Sequence, residues 1–292
     1  MAKLQNRIGP LTTGPSGLLQ PFADFVKLLA KEDMTPIAAN QRLFTITPLL
    51  TFTFSLMPLF LIPILDPVAL ISFNGDLIFI LFITTMTTLT MFLSAWASTN
   101  QFSTLGGTRL ALQMLGYEIP LTIAMLGPAI IARTLSLSQI VHAQTAGHWN
   151  ILTQPLGFII VVISLLAELH FVPFDIPQAE TELVMGWLTE FSGRKLALLK
   201  LAKDFELVLA SALLVTLFLG GPDGPLLFLG PSNLYPPLWF LIKFVACLLL
   251  FSNLRAVFGR FRIDQVLVGA WKYLTPLAFL QFIFIQLTNG VF

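Results

Sequence analysis

Seven apolar stretches in succession constrain this chain more than any other feature, at about residues 44–65, 77–97, 110–133, 156–172, 196–219, 238–254 and 270–288. A hydrocarbon layer ~30 Å thick takes about 20 helical residues to cross, and each run is near that length. A soluble domain carries about 25% charged residues. This chain of 292 residues has 11%, with 56% hydrophobic, so it lacks the polar cover that water demands. The runs are continuous rather than alternating, which favours helices over a barrel. The expected fold is all-α: one transmembrane domain over residues 1–292, a polytopic helical bundle of about seven spans. The fourth and sixth runs are short, the fifth opens with charge, and Pro276 interrupts the seventh.

Residues 1–43 are too polar to span. Leu18, Leu19, Phe22, Phe25, Val26, Leu28 and Leu29 recur near helical spacing, with Asp24, Lys27, Lys31 and Glu32 on the other side. That pattern predicts an amphipathic helix lying at the interface rather than a signal peptide. Lys and Arg then set an orientation. They fill 1–43 (Lys3, Arg7, Lys27, Lys31, Arg42), 98–109 (Arg109), 194–203 (Arg194, Lys195, Lys200, Lys203) and 255–262 (Arg255, Arg260, Arg262). The alternate connections 66–76, 134–155 and 220–237 contain none. The positive-inside rule places the N-terminal segment and the 173–206 connection on the cytoplasmic side, and seven spans carry the C-terminus across.

The acids are concentrated as strongly. Seven of the 15 lie between Ser164 and Glu206: Glu168, Asp175, Glu180, Glu182, Glu190, Asp204 and Glu206. Glu118 sits mid-span, where a carboxylate costs about 2.5–3.5 kcal/mol on insertion scales and usually has a task. Pro120 leaves the Gly116 carbonyl without its helical donor, an acceptor beside the acid. A structural hydrogen bond between helices is the plainer alternative. Glu168 ends the fourth run and His170 follows it, a pair suited to proton relay or to a simple interfacial contact. Pro173 and Pro177 make FVPFDIP a turning segment. The spacing predicts that a helix resumes over AETELVMGWLTEF and ends near Gly193, placing Glu182 and Glu190 within about 80° of each other. The run 194–206 reads as a solvated helix end, with Lys200–Asp204 and Lys203–Glu206 pairs. Lys243 lies mid-span, to pair with a buried acid or to snorkel. His142 and His148 have no third metal ligand nearby.

Other classes drop out. A net charge of +1 gives no footprint for nucleic acid. The single cysteine, Cys247, can form neither an internal disulfide nor a thiolate cluster, so no cofactor is expected in this chain.

Four long motifs, in order along the whole chain, resemble the H-type membrane subunit of respiratory complex I (NADH:quinone oxidoreductase) and of the related energy-converting membrane-bound hydrogenases. They are LQNRIGPLTTGPSGLLQPFADFVKLLAKED, AWASTNQFSTLGGTRLALQMLGYEIP, PFDIPQAETELVMGWLTEFSG and LRAVFGRFRIDQVLVGAWKYLTP. The resemblance implies a subunit at the junction of a peripheral redox arm and a membrane arm, in the inner (plasma) membrane of a prokaryote. Its partners would be hydrophilic subunits bearing iron–sulfur clusters, antiporter-like and small membrane subunits, and the bilayer. Quinone would bind at the interface. Carried over by motif, the proton pathway comprises Glu118, Glu168, His170, Asp175, Glu180, Glu182 and Glu190. Arg7, Arg109, Arg194, Arg255, Arg260, Arg262 and Asp264 would face the peripheral arm. Two departures stand out. The family's first helix would precede residue 1, and Leu169, His170, Phe171 and Val172 replace a Thr-Asn-Arg run. The second keeps a quinone-free, hydrogenase-type complex in contention.

Three functions compete. A non-redox coupling subunit converts electron transfer in a neighbour into proton translocation through buried acids. A stand-alone secondary transporter would show interrupted helices paired between two halves, and no such repeat is visible. A passive anchor for the peripheral arm leaves Glu118 unexplained.

Overall fold

The computed structural model describes residues 5, 7–10, 13–224 and 235–288; Lys3 and part of the 220–237 connection lie outside them. Among the described residues every regular element is helical. In order these are α1 (Gln20–Ala30), α2 (Gln41–Leu56), α3 (Asp76–Ala97), α4 (Gln101–Ala132), α5 (Leu137–Ala146), α6 (Asn150–Thr153), α7 (Pro155–Glu168), α8 (Glu180–Leu183), α9 (Gly193–Phe218), α10 (Tyr235–Val257), α11 (Ile263–Gly269) and α12 (Thr275–Thr288).

Helix ends fall where local chemistry puts them. Asn40 accepts from Leu43 N at 3.4 Å to open α2, and Asn100 from Phe102 N at 2.9 Å to open α4. Pro155 starts α7, where a missing N–H costs nothing. The seventh run is one helix, not a broken one. α11 passes into α12 through a π turn at Ala270–Leu274, just before Pro276. There Thr275 donates its hydroxyl to the Ala270 carbonyl at 2.9 Å.

All seven expected runs are helical, and five helices are long and apolar enough to cross a bilayer: Gln41–Leu61, Asp76–Ala97, Gln101–Ala132, Tyr235–Val257 and Ile263–Thr288. The other two depart for separate reasons. α7 has 14 residues, about 21 Å of helix, and α9 carries Arg194, Lys195, Lys200, Lys203, Asp204 and Glu206 before its apolar stretch begins at Leu207. α1 is amphipathic as its spacing predicts. Leu28 is buried, Phe22, Val26 and Leu29 stand exposed, and Asp24 pairs with Lys27 at 3.2 Å. An exposed apolar edge of this kind suits a helix resting on a membrane surface.

Helix α4 is the spine, packing on α3, α7 and α12, while α2 packs on α3 and α9. Small residues let these backbones approach, as in other membrane bundles. At Gly106 the approach is that of the connection between α7 and α9: a Cβ there would lie 2.6 Å from Trp187 N and 2.9 Å from Gly186 C. Gly106→Ala is therefore expected to destabilise the purified protein by about 1–3 kcal/mol in thermal unfolding, the usual range for overpacking. Gly259→Ala, with nothing within 4 Å, serves as the neutral control.

The expected helix over AETELVMGWLTEF does not form. α8 stops at Leu183; Val184 (φ 64°) and Gly186 (φ 58°) turn the chain, and a short 3-10 turn follows at Gly186–Leu188. A Cβ at Gly186 would meet the Pro177 carbonyl oxygen at 1.9 Å, so the reversal depends on glycine. Burying Trp187, Leu188 and Phe191 beside Phe44, Met91, Leu110 and Leu199 decides the path. Phe191 stacks on Phe44 with ring centroids 4.2 Å apart. Helical propensity over this short segment gives way to that burial.

Candidate functional site

The contacts gather the basic connections at one end of the bundle, here the basic end. Residues 169–192 fold over this end of α4. The buried Gln113 donates to Ala167 O at 2.7 Å and Phe174 O at 2.9 Å. Phe261 N donates to Pro173 O at 3.0 Å, and Ser103 Oγ to Trp187 O at 3.3 Å. The far side of the connection is held by Lys195–Asp33 at 3.6 Å and Met34 N to Ser192 Oγ at 3.1 Å.

Inside the bundle, Glu168 is the common wall of two small cavities. One, of about 10 Å³, lies between Glu168 and Glu118, with Thr84, Thr85, Tyr117 and Thr122 around it. The other, also about 10 Å³, lies between Glu168 and Glu206, with Ser55, Thr84 and Thr87. Each is about the size of one water sphere and is lined by the polar partners a water needs. Thr84 borders both. Tyr117 Oη lies 3.3 Å from Thr88 Oγ1, a hydroxyl pair beside the first cavity. Glu118, Glu168 and Glu206 thus form a row of three carboxyls joined by hydroxyl-lined gaps. No pair of helices could bring them together alone, since they come from α4, the end of α7 and α9.

Glu206 was not among the residues expected to function. The run 194–206 reads as a solvated helix end, and this holds for the exposed Lys200 and Asp204. It fails for Lys203 and Glu206, which turn inward. The ion pairs expected within this run are absent among the described residues. Lys203 instead lies over the Trp187 ring at 5.5 Å, and its charge acts on Glu206, His170 and Asp175. The signal was present in the spacing: Ala202, Glu206, Leu209 and Leu213 form one helical stripe that continues into the core.

His170 is 2% exposed, and neither ring nitrogen has a hydrogen-bond partner among the described residues. Asp175 Oδ1, Gln178 Nε2 and Trp187 Nε1 are likewise buried and unpartnered. Such groups are uncommon in native interiors and call for a ligand or solvent. Between them these atoms offer both donors and acceptors. Burial pushes the Asp175 carboxyl above its ordinary range, against the pull of Lys203, Arg260 and Arg255. The apolar replacement at 169–172 does not leave the region without a cation: the Arg255 guanidinium lies 4.5 Å from the Phe171 ring centroid.

The remaining acids of the connection are placed differently. Glu180 is exposed. Glu182 is exposed and pairs with Arg109 at 2.6 Å and with Arg260. The Arg109 hydrogen bond, with Arg260 beside it, holds its carboxyl below the ordinary range. Glu190 is half-buried and accepts from Asn100 Nδ2. The helical face expected to carry Glu182 and Glu190 is therefore absent, and two arginines balance the charge of Glu182. Arg109, Arg260, Arg262 and Asp264 instead line one open pocket of about 550 Å³ with Glu182. Arg7 and Arg194 are exposed at residues outside its lining.

Over residues 1–286 the chain matches the protein family described as NADH dehydrogenase. Relatives at this level include the H-type subunit of NADH-quinone oxidoreductase from Dehalococcoides mccartyi (strain CBDB1). It is 39% identical over 278 residues, which cover 95% of this chain and 76% of that protein. The corresponding protein of Geobacillus thermodenitrificans (strain NG80-2), which bears the same name, is 40% identical over 295 residues, covering 100% of this chain and 87% of that protein. The protein of the same name from Bacillus cytotoxicus is 40% identical over 293 residues, with 100% and 87% covered.

Proposed function

Because the chain belongs to the NADH dehydrogenase family, we propose that it is the membrane-arm subunit of a complex of the NADH-quinone oxidoreductase type. It holds no redox group and couples electron transfer in a neighbouring subunit to proton translocation. The observation that carries this reading is the row Glu118–Glu168–Glu206, with Glu168 bordering both intervening cavities.

The open pocket at Arg109, Arg260, Arg262 and Asp264 supplies a charged seat for a hydrophilic partner. The unpartnered atoms of His170, Asp175, Gln178 and Trp187 supply the reduction site's donors and acceptors, with quinone as the substrate. A change of charge at that site reaches Lys203 and Asp175 first. A unit charge about 4 Å away is worth about 4 kcal/mol at an effective dielectric near 20, enough to decide whether a neighbouring carboxyl keeps its proton. Glu206 and Glu168 then exchange protons with the wet end, and Glu118 extends the row into the bundle. Arg7 and Arg194 add to the charged surface at that end, and Glu180 and Glu190 add carboxyls to the same connection.

Solubilised in mild detergent, the chain is expected to co-purify with partners that show iron–sulfur absorbance. In proteoliposomes, Glu118→Gln should lower proton translocation at least severalfold while electron transfer continues. Full pumping by that variant would reduce the chain to a passive anchor. Recovery of a lone active carrier would instead establish a transporter.

The aromatic and apolar run Leu169–Val172 favours a second reading, a ferredoxin-linked hydrogenase-type complex that reduces protons. The partner nearest His170 separates the two: nickel–iron cysteine ligands in it would mean a hydrogenase.

A further inference from the structure

At the end of the bundle opposite the basic connections, Arg133 is the single exposed Lys or Arg among the described residues. It follows α4 in the left-handed conformation (φ 53°, ψ 30°), a position usually left to glycine. A cation at a helix C-terminus suits the helix dipole, but the surroundings go further than that. Arg133 borders a groove of about 590 Å³, with Asn74, Gln139 and Gln286 around its mouth and Ile130 and Phe282 along its wall. None of these four polar side chains makes a hydrogen bond or ion pair among the described residues, and the buried Thr134 Oγ1 on the same rim is unpartnered too. Arg133 brings donors only, and the three amides beside it in the lining can each turn an N–H2 donor or a carbonyl acceptor to a ligand.

We propose that this groove binds the headgroup of an anionic phospholipid. Arg133 meets the phosphodiester as a planar, permanently charged fork. The amides of Asn74, Gln139 and Gln286 donate to the remaining oxygens, and an acyl chain follows Ile130 and Phe282 down the bundle. A free phosphate would use the rim and leave the apolar wall bare. An apolar helix of a neighbouring subunit would cover the wall and leave the guanidinium without an anion. The lipid matches both halves of the groove.

The test uses the whole complex in nanodiscs of mixed phosphatidylglycerol and phosphatidylcholine, with bound lipid counted by native mass spectrometry. The wild type should keep at least one phosphatidylglycerol that Arg133→Gln loses and Arg133→Lys largely keeps. A photoreactive phosphatidylglycerol should label residues 126–139 and 282–288 in the wild type. This second readout decides the matter if Arg133→Gln does not assemble. Equal phosphatidylglycerol in wild type and Arg133→Gln would overturn the proposal. So would displacement of the lipid by millimolar inorganic phosphate, or a cross-link from Gln139→Cys to another subunit in place of lipid labelling.

Discussion

Glu168→Gln should lower proton translocation by roughly 10²-fold, in the range typical for removing a group that transfers protons. The complex should still assemble and transfer electrons to an uncoupled acceptor. Glutamine keeps the shape of the side chain and removes its ability to carry the proton. The size of the effect follows from position. Glu118 and Glu206 each border one of the two cavities, while Glu168 and Thr84 border both. Losing a terminal acid shortens the row, but losing Glu168 divides it. Thr84→Val, which removes a hydroxyl shared by both cavities, should fall between the wild type and Glu168→Gln. Parallel measurement of pumping and electron transfer in proteoliposomes checks this. Equal loss of both activities in Glu168→Gln would point to assembly instead.

Lys243→Met is expected to destabilise the protein by about 3 kcal/mol or more, since hydrogen bonds to a charged group are worth about 1.5–3 kcal/mol each and stranded partners add their own cost. Lys243 is 6% exposed, within α10. Its ammonium donates to Leu219 O at 2.6 Å, to Gly221 O at 3.1 Å and to Asp223 O, and lies 4.4 Å from the Trp149 ring centroid. These carbonyls end α9 and begin the turn after it, so the lysine caps a helix through space. Methionine fills the same path and leaves the carbonyls buried without a donor. Thermal unfolding in detergent should show a clear drop in midpoint for Lys243→Met. An unchanged midpoint would mean that the ammonium is not the group holding that turn.

The two variants also mark the boundary of what side-chain patterns convey. Hydropathy locates a helix in each of the seven runs, five of them long and apolar enough to cross a bilayer, because a lipid-facing helix must be apolar along its length. The amphipathic α1 follows from spacing in the same way. The partner of Lys243 leaves no such trace, since backbone carbonyls are present at every residue. The connection 173–192 is misleading for a different reason. Glu182 and Glu190, eight residues apart, would fall within about 80° of each other on a helix, yet Trp187 and Phe191 pull the chain into a cleft beside Gly106, and Val184 and Gly186 reverse it. At Glu206 a run of alternating charge resembles a solvated helix end. Only the continuation through Leu209 and Leu213 shows that one face of the run turns inward. Glu118 and Glu168 each stand out in the sequence because acids within apolar runs are costly. Their joint use of one cavity, 50 residues apart in sequence, depends on how α3, α4 and α7 pack.

Difference infrared spectroscopy of the working complex addresses the row of acids at its source. If Glu168 carries protons, the protonated-carboxyl band should change on reduction, and Glu168→Gln should remove that change while electrons still flow. A spectrum in which Glu168→Gln leaves every carboxyl change in place, in a complex that still pumps, would contradict the role assigned to it.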